Sequence, residues 1–204
     1  AVLAEINEIA KKQATHSIPK TTLSEILAEK SLTRLRELAR MYKVSRYTRL
    51  SREELVPAIF RKLTDMEFLE SILIITDAEM FSAFSMVAQK EQLVCDGVTC
   101  AKLDFLQALG LVQTYFHEDK LIAVVPQEIQ EVFRTLSEAG FVVRKERTDI
   151  LHNYACAAVN LYGVISQNDF VAIFNTQNAK KTDVDEVFQI LMPHIMMDSN
   201  YCFW

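Results

Sequence analysis

Apolar residues recur at helical spacing along most of this chain, and the breaks between runs divide it into elements. Val2, Ile6, Ile9 and Ala10 predict an amphipathic helix over residues 2–14, and a second helix is expected from Thr22 to Lys30. Leu32, Leu35, Leu38, Ala39 and Tyr42 form one stripe of a third helix, which Val44 ends before the polar loop Ser45-Arg46-Tyr47-Thr48-Arg49. Ser51-Arg52-Glu53-Glu54 fits a capping box, in which hydroxyl and carboxylate each satisfy an orphan backbone N–H. It opens a helix whose inner face is Leu55, Val56, Ile59 and Leu63. Helical spacing continues from Asp65 to Ile74, and Thr76-Asp77-Ala78-Glu79 reads as another capping box, opening a helix to about Gln89. Asp96-Gly97 reads as a turn, and Thr99 as the cap of a helix through Leu109.

The period then changes. Leu111 to Phe116 alternates and is β-rich, His117 to Lys120 reads as a turn, and Leu121 to Val125 is a second β run. Pro126 suits the first turn of a helix from Gln127 to Glu138, since it gives up an N–H that has no intrahelical partner there. Helices follow at Asp149–Tyr162, Ser166–Phe174 and Thr182–Met197, and a β run opens at Asn200-Tyr-Cys-Phe-Trp204 and stops, as in a piece of a longer protein. Gly110, Gly140 and Gly163 each follow an apolar-periodic run, the place of a residue just past a helix end. Four Gly and four Pro among 204 residues are few against the usual ~7% and ~5%, which favours helices over tight turns. The fold class expected is mainly α. A small helical module is followed by winged-helix-like units with short β-hairpins, because two or three helices and then a hairpin is the winged-helix order. The segments are residues 1–19, an N-terminal amphipathic helix; 20–64, the helical module; 65–140, a winged-helix-like unit; and 141–204, a second one that repeats the element order without repeating residues.

Charge changes the picture. Residues 1–64 hold 13 Lys/Arg and 7 Asp/Glu, net +6; the remainder holds 9 and 20, net −11, and together they give the overall −5. Seven of the nineteen residues from Arg34 to Arg52 are basic, six of them Arg, with Glu37 the one acid among them. A basic module on an acidic body is the compositional pattern of a polyanion-binding piece joined to something else. Arginine favours it further, because its planar fork matches phosphate oxygens in pairs. The residues expected to touch a nucleic-acid backbone are Arg36, Arg40, Lys43, Arg46, Arg49 and Arg52, with Tyr47 beside them as an aromatic able to stack on a base or pack. Such contacts position a polymer and do not read its sequence.

The run Leu32-Thr33-x-Leu35-x-x-Leu38-Ala39-x-x-Tyr42-x-Val44, followed by Leu50-Ser51-Arg52-x-Glu54-Leu55-Val56-x-x-Ile59, resembles the N-terminal helical module of transcription termination factor Rho, which is related in shape to the SAP and LEM helix–extended–helix motifs. The resemblance spans about residues 31–63. It implies a nucleic-acid-associated module. In that family the module precedes an OB-fold that grips RNA; here the next stretch reads helical, so no RNA-contacting residue of that part carries over.

The remaining chemistry is sparse. No phosphate-binding glycine loop, nucleophile elbow or His-Glu-x-x-His occurs, and no catalytic residue is assigned. His117 falls at the hairpin turn without a visible partner. Cys95, Cys100, Cys156 and Cys202 are scattered, with no Cys-x-x-Cys pair, and read as free buried thiols of a reducing compartment. His152 and Cys156 lie at i, i+4 with Asp149 a turn earlier, and only His194 and Cys202 could add to them. That is not a recognised metal spacing, so no metal and no cofactor is expected. No apolar run reaches the ~18 residues of a membrane span, and the first residues lack a signal-peptide pattern, so the expectation is cytoplasmic. The helix Thr99–Leu109 would be the recognition helix of the first winged unit. It offers Lys102, Asp104 and Gln107, with Glu118-Asp119-Lys120 at the wing tip, too little positive charge for a DNA groove. The function expected is non-enzymatic: the basic module contacts RNA or DNA phosphate and the acidic body contacts protein. The alternative is a protein–protein scaffold without nucleic acid, in which the basic module docks on an acidic surface.

Overall fold

The computed structural model describes residues 2–196 and 201. Twelve helices and one three-stranded sheet among these residues make the protein mainly α. The chain divides into two compact units, Ala1–Ala139 and Gly140–Trp204.

The first unit begins with α1 (Val2–Gln13), α2 (Leu23–Glu29), α3 (Leu32–Met41), α4 (Arg52–Leu63) and α5 (Met66–Leu73). Each start after α1 has the chemistry its sequence suggests. The Thr22 hydroxyl accepts from the Glu25 N–H, Ser31 from Arg34, and Asp65 from Phe68; Ser51 and Glu54 form the capping box. The stripes predicted for α3 and α4 are the packed ones: Leu35, Leu38, Leu55, Ile59 and Leu63 are fully buried, each worth about 1.5–3 kcal/mol of apolar burial. Leu32, at the end of its stripe, is 36% exposed, and Val56 of the α4 stripe is only half-buried. Tyr42 closes the stripe, its ring edge-on to Phe68 at 5.2 Å and its hydroxyl donating to the Leu109 carbonyl.

The rest of the unit is α6 (Ala78–Ala88), β1 (Leu93–Cys95), α7 (Gly97–Lys102), α8 (Asp104–Ala108), β2 (Gln113–His117), β3 (Lys120–Val124) and α9 (Gln127–Glu138). Several expectations shift here. Asp77, not Thr76, caps α6, because the buried Thr76 hydroxyl is turned back onto the Leu73 carbonyl. Asp96, not Thr99, caps α7: its Oδ1 accepts both the N–H and the hydroxyl of Thr99 at 2.8 Å, so Asp96-Gly97 opens a helix and makes no turn. The single helix expected through Leu109 is two. The Cys100 carbonyl accepts from Leu103 N and from the Gln107 side chain, and the ladder breaks at Leu103.

Strand β1 has no period of its own in three residues, and only its pairing reveals it. The sheet order is β1-β3-β2, antiparallel throughout, with Val94 opposite Ile122 and Tyr115 opposite Ile122 on the other side. The hairpin turn is tighter than expected, with Glu118 and Asp119 at φ 48° and 60°, the left-handed pair that suits the twist of a two-residue hairpin. Thr15, just past α1, bridges the outer edge of β2 through Thr15 N to Thr114 O and Phe116 N to Thr15 O, both 3.0 Å. Helix α1 packs on α7, where Gly97 donates to Asn7 Oδ1 at 2.6 Å. A Cβ at Gly97 would lie 2.7 Å from the Asn7 Cα, so close approach, and not a turn, is the reason for glycine.

The second unit holds α10 (Phe141–Tyr162), α11 (Gln167–Gln177) and α12 (Val184–Met196). Helix α10 starts eight residues earlier than its apolar spacing suggested, because Gly140, at φ 81°, ends one helix and immediately precedes the next. Ser166 caps α11 as expected. Asp183 caps α12 through Glu186 N at 2.8 Å, and Thr182 is drawn to the Glu186 carboxylate instead. Leu151, Ala155, Phe170, Phe174, Val187 and Leu191 form the core. The β run read at Asn200–Trp204 lies outside the described residues apart from Tyr201.

Candidate nucleic-acid interface

Helix α3 ends in a way that shapes the basic segment. Val44 N bonds to Ala39 O at 2.8 Å and Lys43 N to Arg40 O at 3.1 Å, the paired bonds of a Schellman motif. The motif needs a left-handed residue, usually glycine. Here it is Lys43, at φ 53°. Arg46 is left-handed as well, at φ 55°, and its carbonyl accepts from Arg49 N at 2.9 Å. Two non-glycine residues in this region each cost about 1–2 kcal/mol, and both carry positive side chains.

The basic residues divide by what their side chains do. Arg40, Lys43, Arg46 and Arg49 are exposed, and none makes an ion pair with a carboxylate among the described residues. Arg36 is half-buried, and its Nε is enclosed with no hydrogen-bond partner among the described residues. Arg52 is turned inward. Its Nη1 donates to Ala28 O at 3.0 Å and Lys30 O at 2.8 Å, satisfying carbonyls at the end of α2. Arg34, counted in the basic run, does the same for α8, with Nη2 2.6 Å from Ala108 O, while Nη1 pairs with Glu37 at 3.1 Å. Lys30 joins them: its ammonium donates to Gln113, and burial, with the Arg34 charge beside it, holds its pKa below the usual lysine value. Tyr47 is half-buried in the loop.

Of the six positions expected to contact phosphate, four thus remain open to solvent on the end of α3 and the following loop. Arg52 has a structural task that sequence spacing could not show, since its partners lie 22 and 24 residues away.

Residues 27–67 match the Rho termination factor, N-terminal domain. The matched stretch runs from the end of α2 to the start of α5 and contains every residue of the basic loop. It covers about a fifth of the chain. No curated protein and no solved structure matches the chain.

Elsewhere in the first unit, residues offered for groove recognition are engaged within the fold. Lys102 pairs with Glu79 at 3.0 Å, and Gln107 bonds Cys100 O, Asp104 and Thr114. A small pocket of about 180 Å³ between α1 and α7–α8 is lined by Ile6, Ala10, Gly97, Cys100, Asp104 and Gln107. Burial raises the Asp104 pKa above the usual carboxylate value. His117 lies 3.8 Å from Glu118.

In the second unit His152 and Cys156 share a helix face as read, but their contacts are to each other and to aromatic rings. His152 Nδ1 is 2.7 Å from the Tyr201 hydroxyl, Nε2 is 3.7 Å from Cys156 Sγ, and the ring stacks on His194 at 4.1 Å. Among the described residues no three His, Cys, Asp or Glu side chains are grouped to hold a metal ion, and no helix is long and apolar enough to cross a membrane. Cys202 lies outside the described residues. Two of the cysteines that look scattered in sequence, Cys95 and Cys100, have their Sγ atoms 3.6 Å apart.

Proposed function

We propose that this is a non-enzymatic nucleic-acid-associated protein whose Rho N-terminal-type module contacts the phosphate backbone, while the acidic remainder contacts protein. One observation carries it: Arg40, Lys43, Arg46 and Arg49 are exposed on one short stretch, without a carboxylate partner among the described residues. Their exposure leaves these cations available to a polyanion outside the chain, as the nucleic-acid reading requires. The strained left-handed Lys43 and Arg46 support it too, since backbone strain is retained where surrounding structure or a task demands it.

We read the stretch α6–β3 as a winged-helix unit in which the usual recognition helix has been given over to the fold. Lys102 and Gln107 are engaged there, and the hairpin turn is Glu118-Asp119. Its role in this reading is to contact protein, in a transcription-related or other nucleic-acid process. A cytoplasmic setting is supported by cysteine usage without a disulfide framework.

The test is fluorescence anisotropy with labelled single-stranded RNA, single-stranded DNA and duplex DNA at two salt concentrations. Four phosphate contacts predict a log–log salt slope of about −3 to −4 on duplex. Replacing Arg40, Lys43, Arg46 and Arg49 together by Glu should abolish binding with helicity unchanged. Arg52 is left intact because it holds α2. Binding unaffected by that variant, or none at low salt in the parent, overturns the reading in favour of a protein scaffold.

A further inference from the structure

The strands and helices of the first unit bring together two thiols that are five residues apart. Cys95 ends β1, Cys100 lies within α7, and Asp96-Gly97 between them turns strand into helix. The sulfurs are 3.6 Å apart, and Cys95 Sγ also lies 3.8 Å from the Leu121 carbonyl on the neighbouring strand. Cys95 is half-buried and Cys100 buried, in a small cluster with Ala10, Ala14, Leu121 and Phe116.

We propose that Cys95 and Cys100 form a reversible dithiol–disulfide site that takes a hydroperoxide as oxidant, with Cys95 the attacked sulfur and Cys100 the resolving one. Two observations assign the roles. Cys95 is the more accessible. The Cys100 thiol, hydrogen-bonded to Cys95, holds the Cys95 pKa below its usual value, while the same contact and burial push Cys100 up; the thiolate is the nucleophile. In the first step Cys95 thiolate attacks the peroxide: an S–O bond forms, the O–O bond breaks, and the alcohol or water leaves after taking a proton. In the second step Cys100 sulfur attacks Cys95 sulfur and gives up its proton. The S–S bond forms, the S–O bond breaks, and water leaves. Two thiols and one hydroperoxide give one disulfide, one alcohol or water, and one water. The bond would clip the end of β1 to α7, the helix against which α1 packs.

The experiment treats the whole protein with hydrogen peroxide under native conditions, followed by alkylation and mass spectrometry. The expected result is loss of two of the four thiols, a mass decrease of about 2 Da, a proteolytic fragment joining Cys95 to Cys100, and recovery with dithiothreitol. Cys100→Ser should stop at a Cys95 sulfenic acid that dimedone traps; Cys156→Ser should form the same cross-link as the parent. A cross-link through Cys156 or Cys202, both thiols still alkylated, or Cys95 carried to sulfinic acid without a cross-link overturns the proposal.

Discussion

Arg147 of the second unit and the arginines of the basic loop in the first are used in opposite ways. In the second unit Arg147 is almost fully buried on α10. Its Nε and Nη2 grip the Glu186 carboxylate at 2.9 and 2.8 Å, its Nη1 and Nη2 reach the Lys180 and Lys181 carbonyls at 3.2 and 2.8 Å, and its Cζ lies 5.1 Å from the Phe174 ring centroid. In the first unit Arg40, Arg46 and Arg49 point to solvent with no carboxylate partner among the described residues. A charge taken out of water must have its donors satisfied or the fold loses several kcal/mol. A charge left in water costs little and contributes little to stability. The difference therefore separates arginines that build this protein from those available to something outside it.

The largest effect is expected from Arg147→Met. It leaves Glu186 without its cation and frees the loop carbonyls, and should destabilise the second unit by about 3–5 kcal/mol. Hydrogen exchange over residues 141–196 would show it, while nucleic-acid affinity stays within twofold. Equal loss of affinity would mean that the division between building and binding arginines is wrong.

Acid should have the next largest effect, again in the second unit. His194 is buried against His152 and its Nε2 has no hydrogen-bond partner among the described residues. Burial and the neighbouring His152 lower its pKa to about 4. Above pH ~6.5 the group is neutral folded or unfolded and costs nothing. As pH falls from ~6.5 to ~4 the unfolded chain takes up the proton first, and up to about 3 kcal/mol of stability is lost. Glu186, held below the usual carboxylate range by Arg147, adds a second loss of the same sign at lower pH. Denaturant midpoints of the second unit measured from pH 7 to 4 should fall, and His194→Phe should flatten the upper part of the curve.

Arg52→Ala should cost about 1–2 kcal/mol through the α2 carbonyls it satisfies. Thermal melting would read this, and Arg49→Ala, one turn of loop away, should not move the melt. Lys43→Gly is the smallest effect and has the opposite sign. Relief of the left-handed backbone should stabilise the module by up to about 1 kcal/mol, while loss of the cation weakens nucleic-acid binding and makes its salt slope shallower by about 1. A variant both less stable and equally tight would remove strain and charge from the account of this loop.

The candidate site was legible only in part. Apolar spacing located α3 and α4, and the density of Arg around them marked the module. Spacing could not say which cations stay outside, because that depends on carbonyls brought close by folding: Ala28 and Lys30 for Arg52, Ala108 for Arg34, Gln113 for Lys30. Strand β1 was invisible for the same reason, since three residues carry no period and β3 identifies them.

Readable from the residues alone were the helices with strong stripes, the caps at Ser51 and Ser166, the β2–β3 hairpin, and the charge contrast between residues 1–64 and the rest. These are local: a stripe, a cap or a run of charge is set by neighbours within a turn or two. Tertiary structure decided the glycine at position 97, the start of α10, the meeting of Cys95 with Cys100 and the burial of Arg147. Each depends on where a second element comes to lie, and a backbone 2.7 Å from where a Cβ would sit, or a carboxylate thirty-nine residues away, leaves no trace in local pattern.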